Sequence, residues 1–272
     1  MQNSQNNYPL VSVIVNCHNG ETYLKKSINS ILNQSYKNFE VIFFDNSSND
    51  ESKNIFKSFN DKRLKYFYGK NKINLYKARN KAIYKASGDY ITFLDTDDFW
   101  SKNFLREHIR IIRQFNSQIL YSKYYIKNES KRTIYLKKEK DLVSGYITQN
   151  LLDNYSIGII AVMVRRSIFN KYKFNKDLNI IGDFDFFIKL SLKYKFFALK
   201  KALATYRYHS ENLTSRNNLL YYLEFKQWYK NNFKLIKKYN LEKLKFFILK
   251  LRCKYYFQII FNHFFFKFFK IG

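Results

Sequence analysis

The stretch "GDYITFLDTDDFW", Gly88 to Trp100, decides the fold. Its apolar-rich residues Tyr90 to Leu94 run directly into Asp95, Asp97 and Asp98. A short run of β-branched and aromatic residues reads as a buried strand. Carboxylates gathered at its end then need a compensating partner, because unpaired charge beside a core is costly.

Outward from this strand the same grammar repeats. Val11 to Val15, "VSVIV", is a β-branched run that ends at Asn16 and gives way to the polar loop "NCHNGE". Leu24, Ile28, Ile31 and Leu32 then fall at helical spacing until "NQS". "FEVIFF", Phe39 to Phe44, is a second strand closed by Asp45, and "NSSNDES" offers capping residues to a helix running through Phe59. A third strand, Leu64 to Tyr68, precedes the helix "NLYKARNKAIYKAS", for which Gly88 is the expected left-handed cap. Downstream come a helix to about Phe115, a strand in "ILYSKYYI", and a loop or hairpin in "KNESKRTIYLKKEKDLVSG". A strand-to-helix step in "IIAVMVRRSIF" and a helix opening on "GDFDFFIKL" follow. Strands alternating with helices predict an α/β protein, with a mostly parallel sheet covered on both faces and ligands gathering beyond the carboxyl ends of the strands. Asn16, Asp45 and Asp95 all stand at such ends. The expected catalytic domain covers residues 1–216, and residues 217–272 form a basic, aromatic, helical tail.

The net charge of +28, from 49 Lys and Arg against 21 Asp and Glu, implies an anionic partner: a phosphorylated substrate, a lipid surface or nucleic acid. Basic residues spread along the chain, without a recognised nucleic-acid module, argue against the last. Cys17 and Cys253 lie far apart and offer neither a disulfide framework nor a zinc site, which fits a reducing compartment. The N-terminal "MQNSQNNYPL" lacks the layout of a signal peptide, and no window reaches the roughly 18 apolar residues of a spanning helix. A cytoplasmic protein, soluble or peripheral on the inner face of the plasma membrane, is expected.

Asp95 and Asp97, one residue apart, can turn oxygens towards one hard cation, and magnesium or manganese bound together with substrate phosphates suits them. A solvated helix cap is the competing reading for these acids and for Asp45. Asp183 and Asp185 open a helix, where acids are also favoured by the positive helix terminus. A phosphatase of the haloacid dehalogenase type likewise places Asp-x-Asp after an apolar strand. Its motif expects Thr or Val two residues beyond the second Asp, whereas Asp98 and Phe99 follow Asp97.

"VSVIVNCHNGETYLKKSINSILNQSYKNFEVIFFDNSSND" followed by "ARNKAIYKASGDYITFLDTDDFW" resembles the family 2 glycosyltransferases over roughly residues 10 to 215. The resemblance implies the A-type glycosyltransferase fold, a three-layer Rossmann-like α/β/α sandwich, here with a helical C-terminal extension. It implies that Asp45 contacts the nucleotide base and that Asp95 and Asp97 serve the metal bridging the donor's diphosphate, with Asp98 similar to an extra acid often found there. "IIGDFDFFIKL" resembles the motif that supplies the base, which gives that role to Asp183, with Asp185 as the alternative. "YRYHSENLT" is similar to the closing segment, which makes His209 a candidate metal ligand and Arg207 a candidate diphosphate contact. Asn19 and Arg79 match nucleotide-binding positions. The reaction implied is metal-dependent, inverting transfer of a sugar from a nucleotide-diphosphate sugar, a UDP-sugar foremost, to a hydroxyl of a glycan or lipid-linked acceptor, in bacterial surface polysaccharide or glycolipid synthesis. The first loop departs from the family's Pro-x-Tyr-Asn, reading Asn16, Cys17, His18, Asn19, and "INLY" stands where a glycine-bearing "NLG" is frequent. In the tail, Phe247, Ile248, Leu251, Tyr255 and Ile259 fall at helical spacing among cations, a pattern suited to an anionic membrane surface or to packing on the domain.

Overall fold

The computed structural model describes residues 8–137 and 142–268. It begins with β1 (Val11–Cys17), α1 (Glu21–Leu32), β2 (Phe39–Asp45), α2 (Ser52–Lys57), β3 (Leu64–Tyr68), α3 (Leu75–Tyr84) and β4 (Tyr90–Phe93). Then follow β5 (Phe99–Trp100), α4 (Phe104–Phe115), β6 (Ile119–Asn128), β7 (Thr133–Leu136), α5 (Thr148–Asp153), β8 (Val162–Arg165) and α6 (Ile168–Lys171). The chain continues through α7 (Gly182–Ser191), β9 (Phe197–Tyr208), α8 (Leu213–Arg216), α9 (Asn218–Ile236) and α10 (Glu242–Phe268).

The nine strands of the described residues share one sheet, ordered β3-β2-β1-β4-β8-β6-β9-β5, with β7 paired to β6 as the far arm of a hairpin. The four strands of the repeating strand-helix grammar are mutually parallel, with β1 between β2 and β4. Beyond them the sheet is mixed. β8 runs antiparallel to both β4 and β6, β9 parallel to β6, and β5 antiparallel to β9.

Alternation along β1 explains the layers, because successive side chains point to opposite faces. Val11, Val13, Val15 and Cys17 join Leu24, Ile28 and Ile31 of α1 and Phe104 to Ile112 of α4 on one face. Ile14, with Ile42, Phe44, Ile91 and Phe93, joins residues of α3, α5, α6 and α7 on the other. Gly88 does not serve as the expected left-handed cap. The helix α3 ends in a right-handed turn at Lys85, and Gly145 is the one glycine with positive φ among the described residues. Gly88 instead lies where a Cβ would stand 2.6 Å from the Ser12 backbone nitrogen, so the close approach of β1 requires glycine.

The C-terminal segment packs onto the second face. Phe225 and Trp228 of α9 meet Phe184 edge-on at 4.9 and 4.8 Å, and Leu244, Ile248 and Leu251 of α10 add to the same cluster. Over Leu244 to Leu251 the apolar stripe thus covers the domain; the side chain of Ile259 lies outside the described residues. Phe246, Leu249, Tyr256 and Phe257 remain exposed. No helix among the described residues is long and apolar enough to cross a membrane.

Candidate active site

The carboxyl ends of β1 and β4 and the N-terminus of α7 open onto one cavity of about 880 Å³. Asn16, His18, Asn46, Arg79, Asp95, Asp97 and Asp183 line one part of it, and Leu151, Leu152, Leu220, Tyr221, Phe225, Leu244 and Phe247 line another. Residues that the sequence spaces over more than 160 positions therefore meet because β4 is central and α7 packs beside it.

Asp95 follows the last residues of β4, and its Oδ1 accepts a hydrogen bond from the Arg79 guanidinium at 2.9 Å. Arg79 is only 2% exposed and sits against the rings of Tyr76, Phe93 and Phe174, which fixes the pair. Burial raises the Asp95 pKa, and the negative charges of Asp97 and Asp183 add to that; Arg79 opposes it. Asp97 turns the other way. Its Oδ2 lies 2.9 Å from Nε2 of His209 and 3.3 Å from Nδ2 of Asn212. Asn212, which closes the "HSEN" run, was not marked by sequence reasoning, although its spacing from His209 was visible.

Asp183 stands in the first turn of α7, within 3.2 Å of the Tyr76 hydroxyl and 3.4 Å of the Tyr155 hydroxyl. The Tyr76 hydroxyl also lies 2.7 Å from the Ile180 carbonyl and has one proton to give, and each Asp183 oxygen receives at most one tyrosine hydroxyl. The Asp183 carboxylate thus keeps lone pairs for a cavity occupant. Its pKa is raised, chiefly by burial. Gly182 makes the geometry available, because a Cβ there would stand 2.5 Å from the Tyr76 ring. Neither tyrosine carries a local sequence signal; Tyr76 reaches Asp183 across 107 positions.

Other candidates lie elsewhere. Asp45 is fully buried outside the cavity wall, with Oδ1 accepting the Ser48 N–H at 2.8 Å and Oδ2 the Tyr66 hydroxyl at 2.6 Å. Asn19 is exposed in left-handed backbone and accepts the Asn49 N–H at 3.0 Å, which ties two loops together. Asp98 is 1% exposed; one oxygen accepts the Arg207 N–H at 2.7 Å while the other has no partner. Burial, followed by the charges of Asp97 and Asp95, pushes its pKa well up. The Arg207 side chain stacks on Tyr23 at 4.2 Å, donates to the Asp97 carbonyl and pairs with Glu129, so it braces the Asp97 turn from behind. Asp185 is buried against Trp228 and Lys189. Asn16 adds an unexpected feature: both polar atoms of its side chain are buried without a partner, although the residue lines the cavity.

The donor types, two carboxylates and an imidazole, suit a hard divalent cation. Asp95 and Asp97 each commit one carboxylate oxygen to a protein partner and leave the other for a ligand. His209 Nε2 is hydrogen-bonded to Asp97 Oδ2 in this structure, so it would reach a cation only by exchanging that bond for a metal bond. Asp95, Asp97 and His209 do not form one cluster: no group of three such side chains converges among the described residues. Substrate phosphates and water would complete the shell, as magnesium and manganese ordinarily require.

Comparison with known proteins settles the lineage. The sequence model of Glycosyl transferase family 2 matches residues 12–187, from β1 into α7. The chain belongs to glycosyl transferase family 2. Among family relatives, the UDP-Glc:alpha-D-GlcNAc-diphosphoundecaprenol beta-1,3-glucosyltransferase WfgD of Escherichia coli is 34% identical over 166 residues, which cover 61% of this chain and 64% of WfgD. The structure of S. aureus TarS in complex with UDP-GlcNAc superposes with a TM-score of 0.66 at 22% identity, covering 86% of this chain and 68% of that one. The mannosyltransferase PcManGT of Pyrobaculum calidifontis, in complex with GDP-Man and Mn2+, gives a TM-score of 0.61 at 14% identity, over 83% of this chain and 65% of that one. The family 2 chain described here thus has the A-type glycosyltransferase fold. It spans about two thirds of these relatives' length, and 30% of a longer one.

Proposed function

We propose that the protein transfers a sugar from a nucleoside-diphosphate sugar, a UDP-sugar foremost, to a hydroxyl of a glycan or lipid-linked acceptor, with inversion at the anomeric carbon. The observation that carries this reading is that Asp183, Asp95 and Asp97 line one and the same cavity. Asp183, held by Tyr76 and Tyr155, takes the acceptor's hydroxyl proton as its oxygen forms the bond to the anomeric carbon. The bond from that carbon to the diphosphate breaks on the opposite side, and the nucleoside diphosphate departs with the electron pair. Asp95, Asp97 and His209 are the residues that would hold magnesium or manganese, and the bound ion would supply Lewis-acid stabilisation of the leaving diphosphate. Arg79 orients Asp95, and Asn212 orients Asp97.

Acceptor recognition falls to the apolar part of the cavity, where Leu220, Tyr221 and Phe247 meet solvent beside Lys243. The apolar lining favours a lipid-linked acceptor, as does WfgD, whose name specifies a diphosphoundecaprenol substrate. The exposed Phe246, Leu249, Tyr256 and Phe257, interspersed with Lys250, Arg252 and Lys254, suit contact with an anionic membrane surface where such an acceptor resides. Surface polysaccharide or glycolipid synthesis is the corresponding process. The test is thermal stabilisation by UDP, GDP and dTDP, each with and without manganese. Stabilisation by one nucleotide that requires the metal supports the reading; none with any nucleotide in well-folded protein refutes it.

A further inference from the structure

The helix α9 lies beyond the segment that matches the family, yet it grips the helix that carries Asp183. Resting on the reading of Asp183 as the base, we propose that Glu224 and Trp228 are positioning residues, holding α7 so that Asp183 meets the acceptor hydroxyl.

Glu224 is 7% exposed, and its carboxylate gathers the turn that leads into α7. Oε1 accepts the Asn179 N–H at 2.7 Å, and Oε2 accepts the N–H groups of Ile180 and Ile181 at 2.9 and 3.1 Å. Charge-assisted bonds of this kind are stronger than neutral ones, and three of them fix the backbone of the turn. That backbone also presents the Ile180 carbonyl, 2.7 Å from the Tyr76 hydroxyl that lies 3.2 Å from Asp183 Oδ1, and so helps to place that hydroxyl against the base. Just inside the helix, Trp228 donates its indole N–H to Asp185 Oδ1 at 2.8 Å, while the Lys189 ammonium lies against both oxygens, 2.7 Å from Oδ1 and 2.8 Å from Oδ2. Phe184, between the two acids, is boxed edge-on by Phe225 and Trp228. Asp183 is therefore flanked on both sides by residues anchored to α9. The helix cannot roll or slide without breaking these contacts, and a misplacement of about 1 Å at a reacting group costs about a hundredfold in rate.

The test is a cycle in the full-length protein, with hydrolysis of whichever UDP-, GDP- or dTDP-sugar the wild type cleaves as the readout. Trp228→Phe keeps the aromatic packing and removes the N–H; Glu224→Gln keeps the shape but leaves one accepting oxygen for three donors. Each should lower kcat about tenfold to a hundredfold. KM for the donor and the stabilisation by nucleotide with manganese should stay unchanged. In the Asp183→Asn background, Trp228→Phe should cost nothing further, because residues acting as one unit are not additive. The proposal is overturned if kcat is unaffected in both variants, or if Trp228→Phe costs the same factor with Asp183→Asn as without it. A wild type that cleaves none of the donors removes the functional reading and this one with it, whereas an active wild type with indifferent variants removes only the positioning role.

Discussion

Asn16 offers a sharp test, because its side chain is out of place unless a ligand uses it. Neither Oδ1 nor Nδ2 has a hydrogen-bond partner, and both are shielded from water at the end of β1. A buried polar group left unpaired costs about 1–3 kcal/mol. Leu has the same branch point and heavy-atom count and suits a strand better, so Asn16→Leu removes two such penalties. Its tetrahedral Cγ costs up to about 1.5 kcal/mol in repacking. The variant should therefore be more stable without ligand by about 1 kcal/mol or more, a rise in Tm of roughly 2–4 °C for each kcal/mol. With nucleotide the sign reverses. The terminal torsion of Asn turns readily, so the amide can swing to a donor's polar edge and make two neutral bonds worth about 0.5–1.5 kcal/mol each. Their loss should weaken binding roughly 5- to 100-fold. Calorimetric melting of the ligand-free protein and titration with UDP plus manganese measure the two halves. If the variant melts lower and binds nucleotide as tightly as wild type, the amide has another partner, such as a bound water, and the reasoning fails.

The remaining predictions concern charge. Asp95→Ala should abolish manganese-dependent stabilisation by nucleotide while leaving a folded protein, checked by melting curves with and without metal. Asp183→Asn should lower kcat about 10²- to 10⁴-fold, the usual contribution of a general base, with little change in donor KM. Because burial raises the Asp183 pKa, the base form exists only above that raised value. Activity should accordingly fall on acidification at a higher pH than an ordinary aspartate dictates, and a pH–rate profile shows it. His108, fully buried against Phe104, has its pKa lowered by burial from 6.5 to about 4. A depressed folded-state value means stability present above pH 6.5 and lost as pH falls towards 4, about 3 kcal/mol in all. Denaturant unfolding between those pH values should show this loss in wild type and not in His108→Leu.

What the sequence made legible, and what it did not, follows from the range of the interactions involved. The first four strands were readable because each is a short β-branched or aromatic run next to a helix of clear period, and local pattern is enough to specify them. Asp95 and Asp183 were readable for the same reason, since a strand end and a helix start fix where a side chain can go. The mixed half of the sheet was not, because β6 pairs in parallel with β9 some 77 positions away, as Leu120 opposite Phe197 shows. Nothing local announces that pairing. The same limit separates Asp183 from Asp185. Both acids lie in the first turn of α7, and only Trp228 and Lys189, which claim the second, leave the first to the cavity. Arg207 and Asp45 illustrate the converse: their residue types suit a diphosphate and a base, yet Glu129 with Tyr23 and Ser48 with Tyr66 already satisfy them from within the fold. A motif fixes which residues can do the chemistry, and the partners that reach them across the chain decide which of them are free to do it.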